Sequence, residues 1–273
     1  MAAPPAPLPE TAGPDDLGLS GAAIIVTGAG SGIGAATARR LGAAGASVVL
    51  VGRRAEALAA QAKIITAAGG AAHCVPADLA RPDSPQVVAA ACRERYGRID
   101  GLVNNAAVVR HRPIAEWTTD GFDEHFATNV RAPYFLIQAV LPDLLASPVR
   151  SVVNISSSSG ALQLTGQSVY GTTKAALDYL TRTLAGELAP SGVRVNCIAP
   201  GPIDTPIHAT YSDDLDTTYA DLARRIPLGR IGHVDDVAAW VWQLVAPETA
   251  WTTGNILHVD GGQVLGLPET AGG

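Results

Sequence analysis

Four glycines between an apolar run and an alanine-rich stretch constrain this chain more than any other feature. The segment Thr27–Gly34 has the sequence TGAGSGIG, and it directly follows the apolar run Ala23–Val26. The pattern predicts a strand, a tight turn and a helix, in which glycine allows positive φ angles and close backbone approach to a ligand. Because the first N–H groups of the helix are free, the turn favours a pyrophosphate. A glycine-rich turn without a ligand is the alternative.

Short apolar runs alternate with longer helical stretches over the rest of the chain. Apolar strands without polar alternation indicate burial on both faces of a parallel sheet. Strand–helix alternation then implies right-handed crossovers. We therefore predict an α/β fold, a single Rossmann-like, doubly wound parallel sheet flanked by helices. The predicted strands are 23–26, 47–51, 102–104, 152–155, 193–197 and 256–259, and the predicted helices are 33–44, 54–68, 84–96, 121–146, 168–189 and 234–246.

The folded part is predicted to form one domain. Five prolines and few large apolar side chains in residues 1–18 predict a flexible amino-terminal tail over 1–19. A dinucleotide-binding catalytic domain then covers 20–267, and 268–273 form a second tail. Within the domain, the segment 202–226 is irregular, contains prolines and is long for a connection. Such a segment is typical of a lid over a substrate, and we call it the lid.

Composition excludes several classes of partner. Lysine and arginine number 19 against 25 aspartate and glutamate, and this net charge of −6 argues against nucleic acid. Three cysteines and six histidines show no spacing typical of a metal site, so no metal is predicted. Glycines break the uncharged stretch 17–38, which argues against a membrane span, and the first basic residue, Arg39, comes too late for a secretion signal. We therefore expect a cytoplasmic protein.

The end of the second predicted strand indicates which dinucleotide is bound. NAD-binding folds place an Asp or Glu there, where it binds the ribose 2′-hydroxyl. Here Arg53 and Arg54 follow Gly52, and a guanidinium can bind a 2′-phosphate with charge-assisted hydrogen bonds. The pattern therefore favours NADP(H), with NAD(H) possible. The alternative is that both arginines form a solvated helix start.

Two polar side chains on the predicted helix 168–189 can carry acid–base chemistry. Tyr170 and Lys174 are four residues apart and therefore share one helix face. A tyrosine pKa near ~10 must fall by ~3 units for use near neutral pH. One ammonium at ~4 Å can supply about that much at an effective dielectric of ~20. A polar run, Ser156–Ser159, ends the strand before this helix, and the pattern alone leaves open which serine acts.

Together these motifs resemble those of the short-chain dehydrogenase/reductase family over about residues 21–264. The family's order of motifs is matched throughout, with alanine in place of glycine at Ala107. The matching residues are Thr27, Gly28, Gly32 and Gly34 in the turn, Asn104–Ala107 at the end of the predicted strand 102–104, Asn129, then Ser157, Tyr170 and Lys174, then Pro200-Gly201 and finally Val259–Gly262.

The resemblance implies a role for each of these residues. Tyr170 would exchange the proton, Lys174 would lower its pKa and bind the nicotinamide ribose, and Ser157 would donate to the carbonyl oxygen. Asn129 would hold a water in a proton relay, and its alternative is a structural asparagine that kinks the helix. The cofactor-binding residues implied are Gly28, Ser31, Gly32, Ile33, Gly34, Arg53, Arg54, Asp78, Leu79, Asn105, Ala106, Ala107, Tyr170, Lys174, Pro200, Gly201, Ile203 and Thr205.

The expected function is NADP(H)-dependent reduction of a small ketone, aldehyde or imine, or the reverse oxidation. The alternatives are a 3-oxoacyl-thioester (acyl-carrier-protein) reductase and a non-catalytic dinucleotide-sensing protein. Pro148 and Ser191 stand where the family's carrier-protein reductases have arginines, although Arg150 is close. The lid is acidic, which favours a neutral or cationic substrate; its acidic residues are Asp204, Asp213, Asp214, Asp216 and Asp221. The resemblance also implies a homotetramer built on helices 121–146 and 168–189.

Overall fold

The computed structural model describes residues 18–207 and 214–266, and within them one parallel sheet forms the centre of the fold. Its strand order is β3-β2-β1-β4-β5-β6-β7, and every neighbouring pair is parallel. The strands are β1 Ala23–Thr27, β2 Ser47–Gly52, β3 Ala71–Pro76, β4 Gly101–Asn104, β5 Ser151–Ile155, β6 Arg194–Pro200 and β7 Ile256–Val259. The predicted doubly wound fold is confirmed.

Helices cover both faces of the sheet because the central strands point apolar side chains to each side. In β1, Ile24 and Val26 pack in one core and Ile25 packs in the other. Burial of each such side chain contributes about 1.5–3 kcal/mol. The helices are α1 Gly32–Ala43, α2 Ala55–Ala67, α3 Ser84–Tyr96, α4 Thr119–Phe126, α5 Ala132–Ala146, α6 Ser168–Leu188, α7 Leu215–Ala223 and α8 Val234–Val245. No helix in the described ranges is long and apolar enough to cross a membrane.

The predicted helix 121–146 is interrupted. A π-helical turn, Ala127–Arg131, separates α4 from α5. Pro133 has no N–H group and therefore cannot bond the carbonyl of Asn129 four residues earlier, which removes one α-helical bond from this stretch. Short π turns of this kind are common at functional sites.

Three further features differ from the sequence-based expectation: one strand, one helix and the start of the folded domain. The edge strand β3 was not among the predicted runs, because only Val75 of its six residues is buried. The lid is not irregular throughout, since it contains α7, whose first turn is capped when Asp214 accepts from the Thr217 amide. Leu19, predicted to lie in the tail, is buried in the core.

A buried arginine joins the end of α8 to the sheet. Arg194, the first residue of β6, is 6% exposed and donates to the carbonyls of Leu244 at 2.7 Å and Val245 at 3.1 Å. Longer bonds of 3.4 Å reach the carbonyls of Ala246 and Thr249. Burial lowers the Arg194 pKa to about 10, so the guanidinium stays charged at neutral pH. Its positive charge therefore stabilises the carboxyl end of α8, where the helix dipole is negative.

Candidate active site

A cleft of about 1070 Å³ opens at the carboxyl ends of the central strands. Nearly all of the site residues predicted from the sequence line it, and only Gly34 and Asn129 among them lie behind its wall. The predicted residues that line the cleft are Gly28, Ser31, Gly32, Ile33, Arg53, Arg54, Asp78, Leu79, Asn105, Ala106, Ala107, Ser157, Tyr170, Lys174, Pro200, Gly201, Ile203 and Thr205. The fold therefore brings the predicted catalytic residues and the predicted cofactor-binding residues together around a single cleft.

The glycine turn has the shape that a pyrophosphate needs. Gly28 has φ +67°, and a Cβ there would lie 2.6 Å from the Asn105 Nδ2 atom. At Gly34 a Cβ would lie 2.3 Å from the Gly28 carbonyl oxygen, so this glycine allows α1 to pack against the turn. Larger residues would fill the cradle, and α1 begins directly at it with free N–H groups. The residues present thus fit a dinucleotide.

Thr27 joins this turn to the end of β4. Its hydroxyl oxygen accepts from the amides of Asn105 at 2.9 Å and Ala106 at 3.0 Å. The Asn105 side chain in turn donates to the Thr27 carbonyl oxygen at 2.9 Å. The unusual alanine, Ala107, lines the cleft with its side chain half-buried, so its methyl group fits where the family has glycine.

Two arginines and one carboxylate mark the outer end of the cleft. Arg53 and Arg54 are exposed, and Arg54 Nη2 donates to the Ser31 hydroxyl at 3.3 Å. Glu124, which the sequence analysis did not select, also lines the cleft. Glu124 forms an ion pair with Arg110, which holds the pKa of its carboxyl group below the usual range. Its charge is therefore already compensated.

One of the four candidate serines is placed for chemistry with the tyrosine. Ser157 acts to lower the pKa of Tyr170, whereas Ser156 donates to the Lys174 carbonyl at 3.2 Å and Ser158 donates to Gln263 at 2.8 Å. The Ser157 hydroxyl donates to the Ser159 hydroxyl at 3.1 Å and accepts from the Ser159 amide at 3.2 Å, which fixes its position. Of the four serines, Ser157 is the one that acts on Tyr170 in the described structure, and its catalytic role stays a prediction.

Tyr170 and Lys174 share one face of α6, as their spacing predicts. The Lys174 Nζ atom lies 5.6 Å from the centre of the Tyr170 ring and donates to the Ile155 carbonyl at 2.8 Å. Burial raises the pKa of Tyr170 to about 12, although the Ser157 hydrogen bond acts in the opposite direction. Burial also lowers the pKa of Lys174 to about 8.

The sequence analysis expected the Lys174 ammonium to lower the pKa of Tyr170. That expectation is wrong for the protein without a bound cofactor, in which burial raises this pKa. The Coulomb estimate counted the attraction of the ammonium and omitted the cost of removing a phenolate from water. Tyr170 is fully protonated near neutral pH and is suited to donate a proton. The arrangement places a proton donor, a second hydroxyl and a cation at one end of a dinucleotide-shaped cleft.

Asn129 lies in the π-helical turn, one layer behind the cleft. Its side-chain oxygen accepts from the Val108 amide at 2.8 Å, and its Nδ2 atom donates to the Val108 carbonyl and the Thr173 hydroxyl at 3.0 Å each. The amide thereby ties the segment after β4 to the helix that carries Tyr170 and Lys174. The relay role stays a prediction.

The sequence analysis missed one contributor from the far end of the described chain. Gln263 lines the cleft and accepts the hydrogen bond from Ser158. Gln167, which also lines the cleft, has a buried side-chain oxygen without a partner in the described structure. A polar residue directly after the Gly261-Gly262 pair was the available signal for Gln263.

Comparisons with known proteins agree with this geometry. The family model described as enoyl-(acyl carrier protein) reductase matches residues 28–263. L-xylulose reductase from Mus musculus is 39% identical over 248 residues, which cover 90% of this chain and 98% of the relative. A 3-oxoacyl-[acyl-carrier-protein] reductase from Thermotoga maritima is 32% identical over 247 residues, which cover 90% of this chain and 99% of the relative.

A solved structure extends the likeness to three dimensions. It belongs to a Beutenbergia cavernae protein named as an NAD(P)-dependent gluconate 5-dehydrogenase and solved with NADP bound at low occupancy. The TM-score is 0.85 and the identity 34%, over 92% of this chain and 99% of that one. With the motifs, the cleft and the family match in agreement, the chain belongs to the short-chain dehydrogenase/reductase family.

Proposed function

We propose that this chain is an NADP(H)-dependent oxidoreductase that reduces a small ketone, aldehyde or imine, and oxidises the matching alcohol or amine in reverse. The observation that carries the proposal is the placement of Ser157, Tyr170 and Lys174 at one end of the cleft, with the glycine turn also in its wall. When bound, the reduced nicotinamide supplies the hydride. The protein residues orient the carbonyl group and supply the proton.

Each catalytic side chain has a distinct task in this proposal. Ser157 donates a hydrogen bond to the carbonyl oxygen and stabilises the charge that develops there. Tyr170 delivers its proton to the same oxygen. Lys174, held by the Ile155 carbonyl, keeps a positive charge beside the phenol, so that the phenolate left after transfer is stabilised.

The preference for NADP(H) is proposed from the two arginines after β2. Neither forms a salt bridge within the described residues, so each guanidinium is available to a 2′-phosphate. We expect Arg53→Asp to lower the NADPH-to-NADH ratio of kcat/KM by roughly 100-fold, because a carboxylate repels the phosphate and accepts from a 2′-hydroxyl. Steady-state kinetics with both cofactors measure this ratio.

Lys63→Asp is the matched control for that variant. Lys63 is exposed on α2 outside the cleft, and its replacement changes the net charge by the same amount. The control is expected to leave the cofactor ratio unchanged. If both variants shift the ratio equally, or neither does, the 2′-phosphate is not bound by Arg53.

A thioester substrate is the second candidate, favoured by the Thermotoga maritima relative named as a 3-oxoacyl-carrier-protein reductase. Against it, Arg150 is not free to bind a carrier protein. Its guanidinium donates to the carbonyls of Ser147 at 2.7 Å and Ser191 at 3.1 Å. Turnover of a 3-oxoacyl thioester far above that of simple ketones would reverse the order of the two candidates.

We also propose a cytoplasmic homotetramer. The three cysteines of the chain form no disulfide bond, which is typical of a protein in a reducing compartment. Phe122, Tyr134, Phe135 and Tyr179 expose apolar surface on α4, α5 and α6, the helices on which the family resemblance predicts assembly. A second copy of this chain would cover these aromatic rings.

The assembly is tested at Tyr179, which is 68% exposed. We expect Tyr179→Arg to dissociate the tetramer into smaller species, because a two-fold interface repeats the introduced charge on both subunits within one apolar contact. Light scattering coupled to size exclusion measures the mass of wild type and variant. A wild-type mass equal to one chain, 27.9 kDa, would contradict the proposal.

A further inference from the structure

The charged side chains of the lid differ in whether they line the cleft. Thr218 and Leu222 of α7 line the cleft, and so does Arg225, which lies two residues after the helix ends. Within the described part of the lid, Arg225 is the one charged residue that lines the cleft. Its guanidinium is exposed and forms no salt bridge or side-chain hydrogen bond in the described structure.

The described lid carboxylates do not line the cleft, and three have partners elsewhere. Asp204 accepts from the Tyr219 hydroxyl at 2.9 Å, and Asp214 caps α7 through the Thr217 amide. Asp221 forms an ion pair with Arg224. Asp213 lies outside the described residues. The expectation that an acidic lid selects a neutral or cationic substrate therefore loses its basis, since local contacts decide which side each charge faces.

Among the described ionisable residues that line the cleft, none forms a salt bridge with Arg225. Glu124 is paired with Arg110, and the Lys174 ammonium is bonded to the Ile155 carbonyl. Burial lowers the pKa of His111 and so disfavours a positive charge on its imidazole. A planar guanidinium with free donors fits a carboxylate, which it can bind with two parallel hydrogen bonds.

We propose that the carbonyl substrate carries a carboxylate bound by Arg225, so that the enzyme acts on small oxo acids in preference to uncharged carbonyl compounds. This inference rests on the proposed function. The oxo group takes a hydride from NADPH and a proton from Tyr170 to give a hydroxy acid and NADP⁺, and the carboxylate is unchanged. Because Arg225 contacts a part of the substrate that does not react, it is a specificity residue and acts mainly on KM.

The test compares oxo acids with their methyl esters. The probes are 2-oxobutanoate, 4-oxopentanoate and 5-oxohexanoate, each paired with its ester, with NADPH oxidation as the readout. We expect the wild type to use at least one acid about tenfold better than its ester, and Arg225→Gln to remove that preference by raising the KM of the acid roughly tenfold. The ester kinetics should stay within about twofold, because the ester offers no anion to bind.

Arg224→Gln is the matched control, since Arg224 is the neighbouring arginine and does not line the cleft. It should leave the acid-to-ester ratio unchanged. A wild type that uses every ester as well as its acid would overturn the inference, and so would an Arg225→Gln variant that changes both equally or weakens NADPH binding by the same factor.

Direct titration of each oxo acid into the enzyme with NADP⁺ tests the inference without turnover. We expect binding that Arg225→Gln weakens, and failure of every acid to bind would overturn it. Ester reduction that depends on Tyr170 but not on Arg225 would leave the proposed function standing and remove only this inference. Absence of any Tyr170-dependent NADPH oxidation, with acids or esters, would instead refute the proposed function.

Discussion

Tyr170→Phe is expected to lower kcat about a thousandfold while NADPH affinity changes by no more than about threefold. The variant removes one hydroxyl and keeps the ring, so the packing of α6 against the serine run is preserved. Only the proton donor to the carbonyl oxygen is lost. Single-turnover NADPH oxidation measures the chemical step, and quenching of protein fluorescence measures cofactor binding.

Tyr179→Phe is the matched control on the same helix. Tyr179 is exposed and does not line the cleft, so the same chemical change there should leave kcat unaffected. A Tyr170→Phe enzyme that retains a tenth or more of wild-type turnover would contradict its role as the acid. Equal losses of turnover and NADPH affinity would show that the hydroxyl binds the cofactor instead.

Arg194→Met is expected to lower the free energy of unfolding by about 3 kcal/mol. Methionine fills similar space but donates no hydrogen bonds, so carbonyls at the end of α8 lose their partner. The Leu244 carbonyl keeps a bond from the Ser151 hydroxyl at 2.9 Å, and the Ala246 carbonyl keeps one from Thr249 at 3.1 Å. The Thr249 carbonyl keeps one from the Thr252 amide at 3.0 Å. The loss falls mainly on the Val245 carbonyl. Urea unfolding followed by circular dichroism measures it.

The control for this variant is Arg95→Met on α3. Arg95 is exposed, and its replacement should change the free energy of unfolding by no more than about 0.5 kcal/mol. If both variants unfold at the same urea concentration, Arg194 does not stabilise the junction between α8 and β6. The helix would then owe its stability to its capping at His233 and to the packing of its buried apolar side chains, Val237 and Val241 among them.

Most of the sheet could be predicted from the sequence because its central strands are buried on both faces. β1 and β2 are continuous apolar runs, the pattern typical of strands buried on both faces of a sheet. β3 lies at the edge, where half-buried positions accept alanine and histidine, so its sequence carries little signal. A helix kink at Asn129 was one of the two alternatives in the sequence analysis, but the π-helical form of the turn could not be predicted, since contacts of Asn129 with Val108 and Thr173 accompany it.

The candidate site was likewise predictable only where it depends on local sequence patterns. The glycine turn and the Tyr170–Lys174 pair are local patterns, and their spacing was sufficient to place them. The protonation of Tyr170 depends on burial by the whole cleft, which a pairwise estimate leaves out. The direction of the lid charges depends on individual partners such as Tyr219 and Arg224. Composition gives the number of those charges but not the direction in which each side chain points.

The hydrogen bond between Ser158 and Gln263 has a practical consequence for preparing the enzyme. It makes the segment after β7 part of the catalytic wall, next to the serine that contacts Tyr170. A substitution or insertion beside Gln263 therefore reaches the serine run, although it lies more than 90 residues beyond Tyr170 in the sequence. Preparations for kinetic work are best made with the segment 260–266 left intact.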